Sequence, residues 1–149
     1  MSPIKHVAFS GMISGLFAFL THSLGGTIAC FVSGIFIDLD HVLDYWLAKK
    51  KFFCTYGDLD HYYGKDPKGQ LIILLHSYEL LGIMTALSFS FHYNKILVGL
   101  TVGLAFHMLL DIIGNPVKPM AYFFVYRIFH KFQKAPIFND GRFDENVAT

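Results

Sequence analysis

His6, the run Asp38-Leu39-Asp40-His41, the run His76-Ser77-Tyr78-Glu79 and the pair His107/Asp111 are the residues of this chain equipped for chemistry. Imidazoles and carboxylates are the ligand set of a divalent metal ion, and each patch lies in or beside a strongly apolar segment. At membrane depth a bare carboxylate or imidazole is costly, so such groups face a protein interior, find partners and mark a functional site. Their spacing fits coordination. His107 and Asp111, at i and i+4, project from one helix face. His76 and Glu79, at i and i+3, share a face in the same way, as do Asp38 and His41 if the preceding helix continues through them.

Mixed His and carboxylate ligands suit Zn²⁺, with Mn²⁺ or Fe²⁺ as alternatives. The candidate metal ligands are His6, Asp38, Asp40, His41, His76, His107 and Asp111. They outnumber the four of a tetrahedral ion. Either the site is binuclear, or some of these residues orient ligands or act as general bases. Asp40 and Glu79 are the candidate catalytic bases. Ser77, with no nucleophile-elbow motif around it, reads as a packing hydroxyl. The second copy of the Asp-x-Asp-His pattern, Asp58-Leu59-Asp60-His61, lies in a polar stretch and reads as solvated.

The segments that must position these groups are apolar. The 149-residue chain is 54% hydrophobic and 15% charged, against about 25% charged in soluble domains. This composition places it in the membrane class. Two cysteines, one in an apolar run and one in a polar loop, do not make a disulfide framework, and no cleavable signal peptide is evident. The net charge of +1 says nothing about a nucleic-acid partner, and no basic tract supports one, so none is expected. The expected architecture is all-α: an integral membrane four-helix bundle followed by a C-terminal interfacial amphipathic helix. The spans fall at about 5–22, 24–47, 71–91 and 96–114. The first two are apolar over only some 14 residues each and need extension at their inner ends to approach the ~20 that cross a bilayer. Residues 48–70 form a cytoplasmic loop. Residues 119–134 form the interfacial helix, with Tyr122, Val125, Phe129 and Phe132 on one face and Arg127, Lys131 and Lys134 on another. Residues 1–134 then make one transmembrane domain, and 135–149 a loosely ordered cytoplasmic tail. Gly11/Gly15 and Gly99/Gly103 have the spacing that lets helices approach closely in lipid.

Charge gives the bundle a direction. Lys5 precedes the first span. Lys49, Lys50, Lys51, Lys65 and Lys68 lie between the second and third, and Lys118, Arg127, Lys131, Lys134 and Arg142 follow the fourth. Only Lys95 falls on the other side. The positive-inside rule therefore puts both termini in the cytoplasm. It also puts His6, Asp38 to His41, His76, His107 and Asp111 at one inner depth, and sets aside His22 and His92 at the opposite helix ends.

At this point the residues resemble a known family. Asp38-Leu39-Asp40-His41 looks like a DxDH motif after an apolar helix, His76-Ser77 like an HS at the start of the next, His107 with Asp111 like an HxxxD, and His6 like a histidine near the start of the first helix. Together they resemble the membrane-bound metal-dependent hydrolases of the inner membrane over residues 5–116. The HxxxD element is similar, more distantly, to the helical zinc-dependent phospholipases C. Ile37 stands where many members have Pro, and the His-Arg-Gly-x-Thr-His-Ser string of many members is replaced by Leu-Ile-Ile-Leu-Leu before His76. The resemblance implies a hydrolase that activates water with a divalent metal, most often zinc, at the cytoplasmic face, acting on a phosphoester or ester. Membrane lipid is the expected partner and a lipid head group a candidate substrate. The alternative is a non-enzymatic membrane protein with a structural or transport-related metal; the lack of carboxylates in the outer halves of the spans argues against a through-path. A docking role for the polar stretch 44–70 has no positive mark.

Overall fold

The first helix is built inside out. In α1 (Pro3–Thr21) the inward stripe is His6, Ser10, Ser14 and Phe17, while Ile4, Met12, Leu16, Phe19 and Leu20 are exposed. Polar and small groups inside with apolar groups outside is the pattern of a helix whose solvent is lipid. A computed structural model describes residues 3–51, 53–65 and 70–139 of the chain. After α1 come α2 (Leu24–Phe36), α3 (Leu39–Lys49), α4 (Tyr56–Gly64), α5 (Tyr78–Ser90), α6 (Lys95–Gly114), a 3₁₀ turn (Pro119–Tyr122) and α7 (Phe124–Phe129). Among the described residues there is no strand, only the isolated bridges Gln70–Gln133 and Val117–Phe138. Ile4–Thr21, Leu24–Lys49 and Lys95–Gly114 are long and apolar enough to cross a membrane.

Where the sequence reads as one domain, the chain divides into two compact units: Met1–Ile37 with Tyr78–Asn115, and Asp38–Ser77 with Pro116–Thr149. The first unit contains α1, α2, α5 and α6. Its centre is the parallel contact of α2 with α6. A Cβ on Gly99 would strike the Gly26 carbonyl, and one on Gly103 would strike Ser33 Oγ and the Cys30 carbonyl. Four residues further on in both helices, the Gly34 carbonyl accepts from His107 Nδ1 at 2.9 Å. This constant register of small residues at i and i+4 lets the two backbones approach. The Gly99/Gly103 pattern thus packs as expected. Gly11/Gly15 does not: nothing lies within 4 Å of a Cβ on Gly15, and the nearest atom to one on Gly11 is 4.0 Å away. α1 runs the other way, Ser10 Oγ donating to the Gly34 carbonyl at one end and Lys95 Nζ to the Thr21 carbonyl at the other. Hydroxyls in these helices return to their own backbone, Thr21 to Phe17, Thr85 to Leu81 and Thr101 to Leu97, which keeps them satisfied without water.

α5 corrects the expected third span. The helix starts at Tyr78, not near residue 71, and has 13 residues. At the helical rise that is about 20 Å, short of a ~30 Å hydrocarbon core. The apolar run 71–77 is instead a non-helical strap in the second unit. The second expected span matches the apolar stretch Leu24–Lys49; within it a turn at Ile37–Asp38 separates α2 from α3, and Asp38 is the N-cap residue of α3.

In the second unit α4 occupies part of the expected loop, started by a capping box. Thr55 Oγ1 accepts from the Asp58 N–H at 3.2 Å and Asp58 Oδ2 from the Thr55 N–H at 2.8 Å. The Thr55 N–H, and then the Thr55 hydroxyl, which donates to the same Oδ2 at 2.7 Å, hold the exposed Asp58 carboxyl below the usual carboxylate range. The expected interfacial helix 119–134 does not form as one piece. Two of its three expected basic residues turn inward, Arg127 and Lys134 being only 2% and 1% exposed, because buried carbonyls recruit their charged heads; Lys131 stays exposed. Lys134 donates to the Tyr62 carbonyl and lies over the Tyr62 ring. Nor is the start of the tail loose: Ile137 and Phe138 join Leu71, Ile73 and Ala121 in the core of this unit. Residues 140–149 of the expected tail lie outside the described residues.

Candidate functional site

In the first unit, α1 and α6 bring His6, His107 and Asp111 together, each at most 3% exposed. His6 Nε2 is 3.2 Å from Asp111 Oδ1, and His107 Nε2 is 3.4 Å from Asp111 Oδ2. The two imidazoles stack with centroids 4.3 Å apart. A carbonyl can only accept, so His107 Nδ1 carries the proton that it donates to Gly34. The Gly34 carbonyl lies in the last turn of α2, where carbonyls lack intrahelical partners; it takes Ser10 as well. In neutral His107 the Nε2 lone pair therefore faces a carboxylate oxygen. A charge-assisted hydrogen bond would close that gap to about 2.7–2.9 Å. Two ligands of a tetrahedral ion, at about 2.0–2.2 Å each, stand about 3.3–3.5 Å apart. The observed separations leave room for an ion shared by these groups. Asn115 Nδ2 donates to Asp111 Oδ1 at 2.7 Å and fixes the carboxylate from the far side. His6 Nδ1 is buried with no hydrogen-bond partner among the described residues.

In the second unit, Asp38, Asp40 and His41 at the start of α3 meet His76 on the strap. Asp38 Oδ1 is 3.7 Å from His76 Nε2 and 3.8 Å from His41 Nε2. His76 Nδ1 faces Asp40 Oδ2 at 3.5 Å, the arrangement in which a carboxylate behind an imidazole sets its tautomer and leaves Nε2 as the donor. Asp40 accepts the Leu75 N–H with the same oxygen, at 2.5 Å. The expected shared helix face of His76 and Glu79 is absent, because His76 precedes the helix. Glu79 is half-buried in the first turn of α5, in the unit of His107. The expected Asp38/His41 pairing survives the helix break because both belong to the first turn of α3. His22 and His92 are exposed in turns with φ of 49° and 52°. Asp58, Asp60 and His61 are exposed on α4.

Three residues that hold His76 in place escape a reading by motif. Asp44 Oδ1 accepts the Ile72 N–H at 2.8 Å and its Oδ2 the Tyr63 hydroxyl at 2.8 Å. Arg127 donates Nη1 to the Ile73 carbonyl and Nη2 to the His76 carbonyl, the latter at 2.9 Å. A strap without a ladder must have its backbone groups satisfied by side chains, and buried Asp40, Asp44 and Arg127 do this. Burial, then the charge of Asp44, push the Tyr63 phenol well above its usual range, so Tyr63 remains a donor. Its hydroxyl also reaches the His41 carbonyl at 3.0 Å. The i, i+4 spacing of Asp40 and Asp44 signals a shared inward face. A lone Arg among Phe, Val, Tyr and Ile in α7 signals a buried guanidinium; its amphipathic neighbours disguise it.

Comparison with protein-family models, with curated proteins and with solved structures finds no match to this chain.

Proposed function

We propose that this chain is a membrane-embedded metal-dependent hydrolase that cleaves a phosphoester or ester, a lipid head group being the favoured substrate, at the cytoplasmic face. The observation that carries this reading is the set of His Nε2 to carboxylate separations of 3.2, 3.4, 3.7 and 3.8 Å. The far nitrogens of His107 and His76 are already engaged by Gly34 and Asp40. His107 and Asp111 in the first unit, and Asp38 and His76 in the second, are the donors assigned to divalent metal, with zinc the expected metal.

A divalent ion supplies a Lewis acid and lowers the pKa of a water molecule toward neutrality. The chain's own residues do the rest. Asp40 holds His76 in the tautomer that presents Nε2. Gly34 does the same for His107, and Asn115 orients Asp111. Glu79 is the remaining acid–base candidate. The resemblance to inner-membrane metal-dependent hydrolases agrees with this assignment. The membrane topology we propose has α1, α2, α5 and α6 as four passes, both termini cytoplasmic, with α5 too short to cross without local thinning of the bilayer. Exposed Leu43, Leu47, Val125 and Phe129 suit an apolar environment at the membrane surface.

The test is turnover of the detergent-purified protein against phospholipids and generic phosphoesters, with and without a chelator. Activity is expected to vanish with chelation, return with Zn²⁺ or Mn²⁺, and fall by about 10–100-fold in Asp40→Asn, the usual loss for removing a partner behind a metal-bound imidazole. Turnover indifferent to chelation would overturn the assignment.

A further inference from the structure

We propose that the chain takes up two divalent transition-metal ions of the zinc class, one in each compact unit, held by two trios of the same composition. This deepens the metal-centre reading above and rests on it. In the first unit the trio is His6, His107 and Asp111; in the second it is His41, His76 and Asp38. Each consists of one carboxylate approached by two imidazole Nε2 atoms, at 3.2 and 3.4 Å in the first unit and at 3.8 and 3.7 Å in the second.

Each trio is also supported in the same way. One imidazole has its far nitrogen engaged by an acceptor, Gly34 O for His107 and Asp40 Oδ2 for His76. The other is held through its neighbours: His6 by stacking on His107, His41 by the edge contact of its ring with Tyr63 and by the Tyr63 hydroxyl on its carbonyl. Two histidines and a carboxylate, with a fourth position open, is the ligand count of a hydrolytic zinc ion. Six such donors exceed what one tetrahedral ion can use. The division of the chain into two units, each with a complete trio, supplies the second ion's site. The wider separations in the second unit exceed a tetrahedral spacing of about 3.3–3.5 Å by a few tenths of an ångström. The second ion is therefore expected to bind more weakly.

The experiment counts ions on the full-length protein in detergent, loaded with Zn²⁺, dialysed, and measured by elemental analysis against quantitative amino-acid analysis. Two equivalents are expected for the wild type, one each for Asp111→Asn and His41→Gln, and none for the double variant. Stepwise chelation of the wild type is expected to release the ions in two phases of equal amplitude. That second measurement keeps the test intact if a variant loses its helical circular dichroism signal. One equivalent in the wild type, released in a single phase, would overturn the two-ion assignment and leave the metal-centre reading standing. No bound ion would overturn both. Two equivalents that persist in a folded Asp111→Asn or His41→Gln would overturn the assignment of these trios.

Discussion

Arg127 is 2% exposed and spans two backbone carbonyls of the strap that carries His76. Its replacement by alanine removes both donors and leaves the Ile73 and His76 carbonyls buried without them. A hydrogen bond to a charged group contributes about 1.5–3 kcal/mol, and an orphaned buried acceptor costs about 1–3 kcal/mol. The two bonds share one side chain and do not add fully, so Arg127→Ala is expected to destabilise the second unit by about 3–5 kcal/mol, at the upper end of single substitutions. Trp46, the one tryptophan of the chain, lies on α3, so its fluorescence during denaturant unfolding in mixed micelles reports that unit. Arg127→Lys keeps a charge but not the two-pronged geometry and is expected to recover less than half of the loss. A midpoint for Arg127→Ala that implies less than about 0.5 kcal/mol, the range of ordinary surface substitutions, would refute the role given to this residue.

Two glycines with the same sequence pattern are expected to behave in opposite ways. Gly99→Ala drives a methyl group into the Gly26 carbonyl and should destabilise the first unit by about 1–3 kcal/mol through overpacking. Gly15→Ala meets nothing within 4 Å and should be neutral or stabilising by up to about 1 kcal/mol from helix propensity. Thermal unfolding of the two variants side by side decides it, and equal effects would refute the parallel α2–α6 contact. The capping box of α4 gives a pH dependence. Asp58 is held below its usual range by the folded state, so its stabilisation is present above the ordinary carboxylate pKa of about 3.9 and is lost as pH falls through the lower folded value. Amide exchange of Asp58 and Leu59 should accelerate over that acid window in the wild type, whereas in Asp58→Asn the acceleration should be absent.

The sequence made some of this legible and hid the rest for identifiable reasons. His107 and Asp111 were readable because a regular helix turns spacing directly into geometry, and His6 because antiparallel helices bring the start of one beside the end of another. Gly99 and Gly103 carried the correct packing signal. The same signal at Gly11 and Gly15 was false, since spacing alone does not say which face meets a partner. The strap 71–77 was misread because a continuous apolar run looks helical whether or not it is. What holds it out of a helix is a set of hydrogen bonds with Asp40, Asp44 and Arg127, residues as far as 54 positions away in sequence. Periodicity puts Arg127 and Lys134 on the polar face of an interfacial helix. Their burial depends on carbonyls at Ile73, His76 and Tyr62 that no local pattern reveals.

The central claim is that the histidine and carboxylate groups at the ends of these helices are metal ligands. The most direct measurement is the divalent-metal content of the detergent-purified protein beside that of a folded His107→Ala/Asp111→Ala variant. The account predicts stoichiometric metal in the wild type and a loss of at least one equivalent in the variant. A wild type without bound metal, or a variant with unchanged metal content, would contradict it.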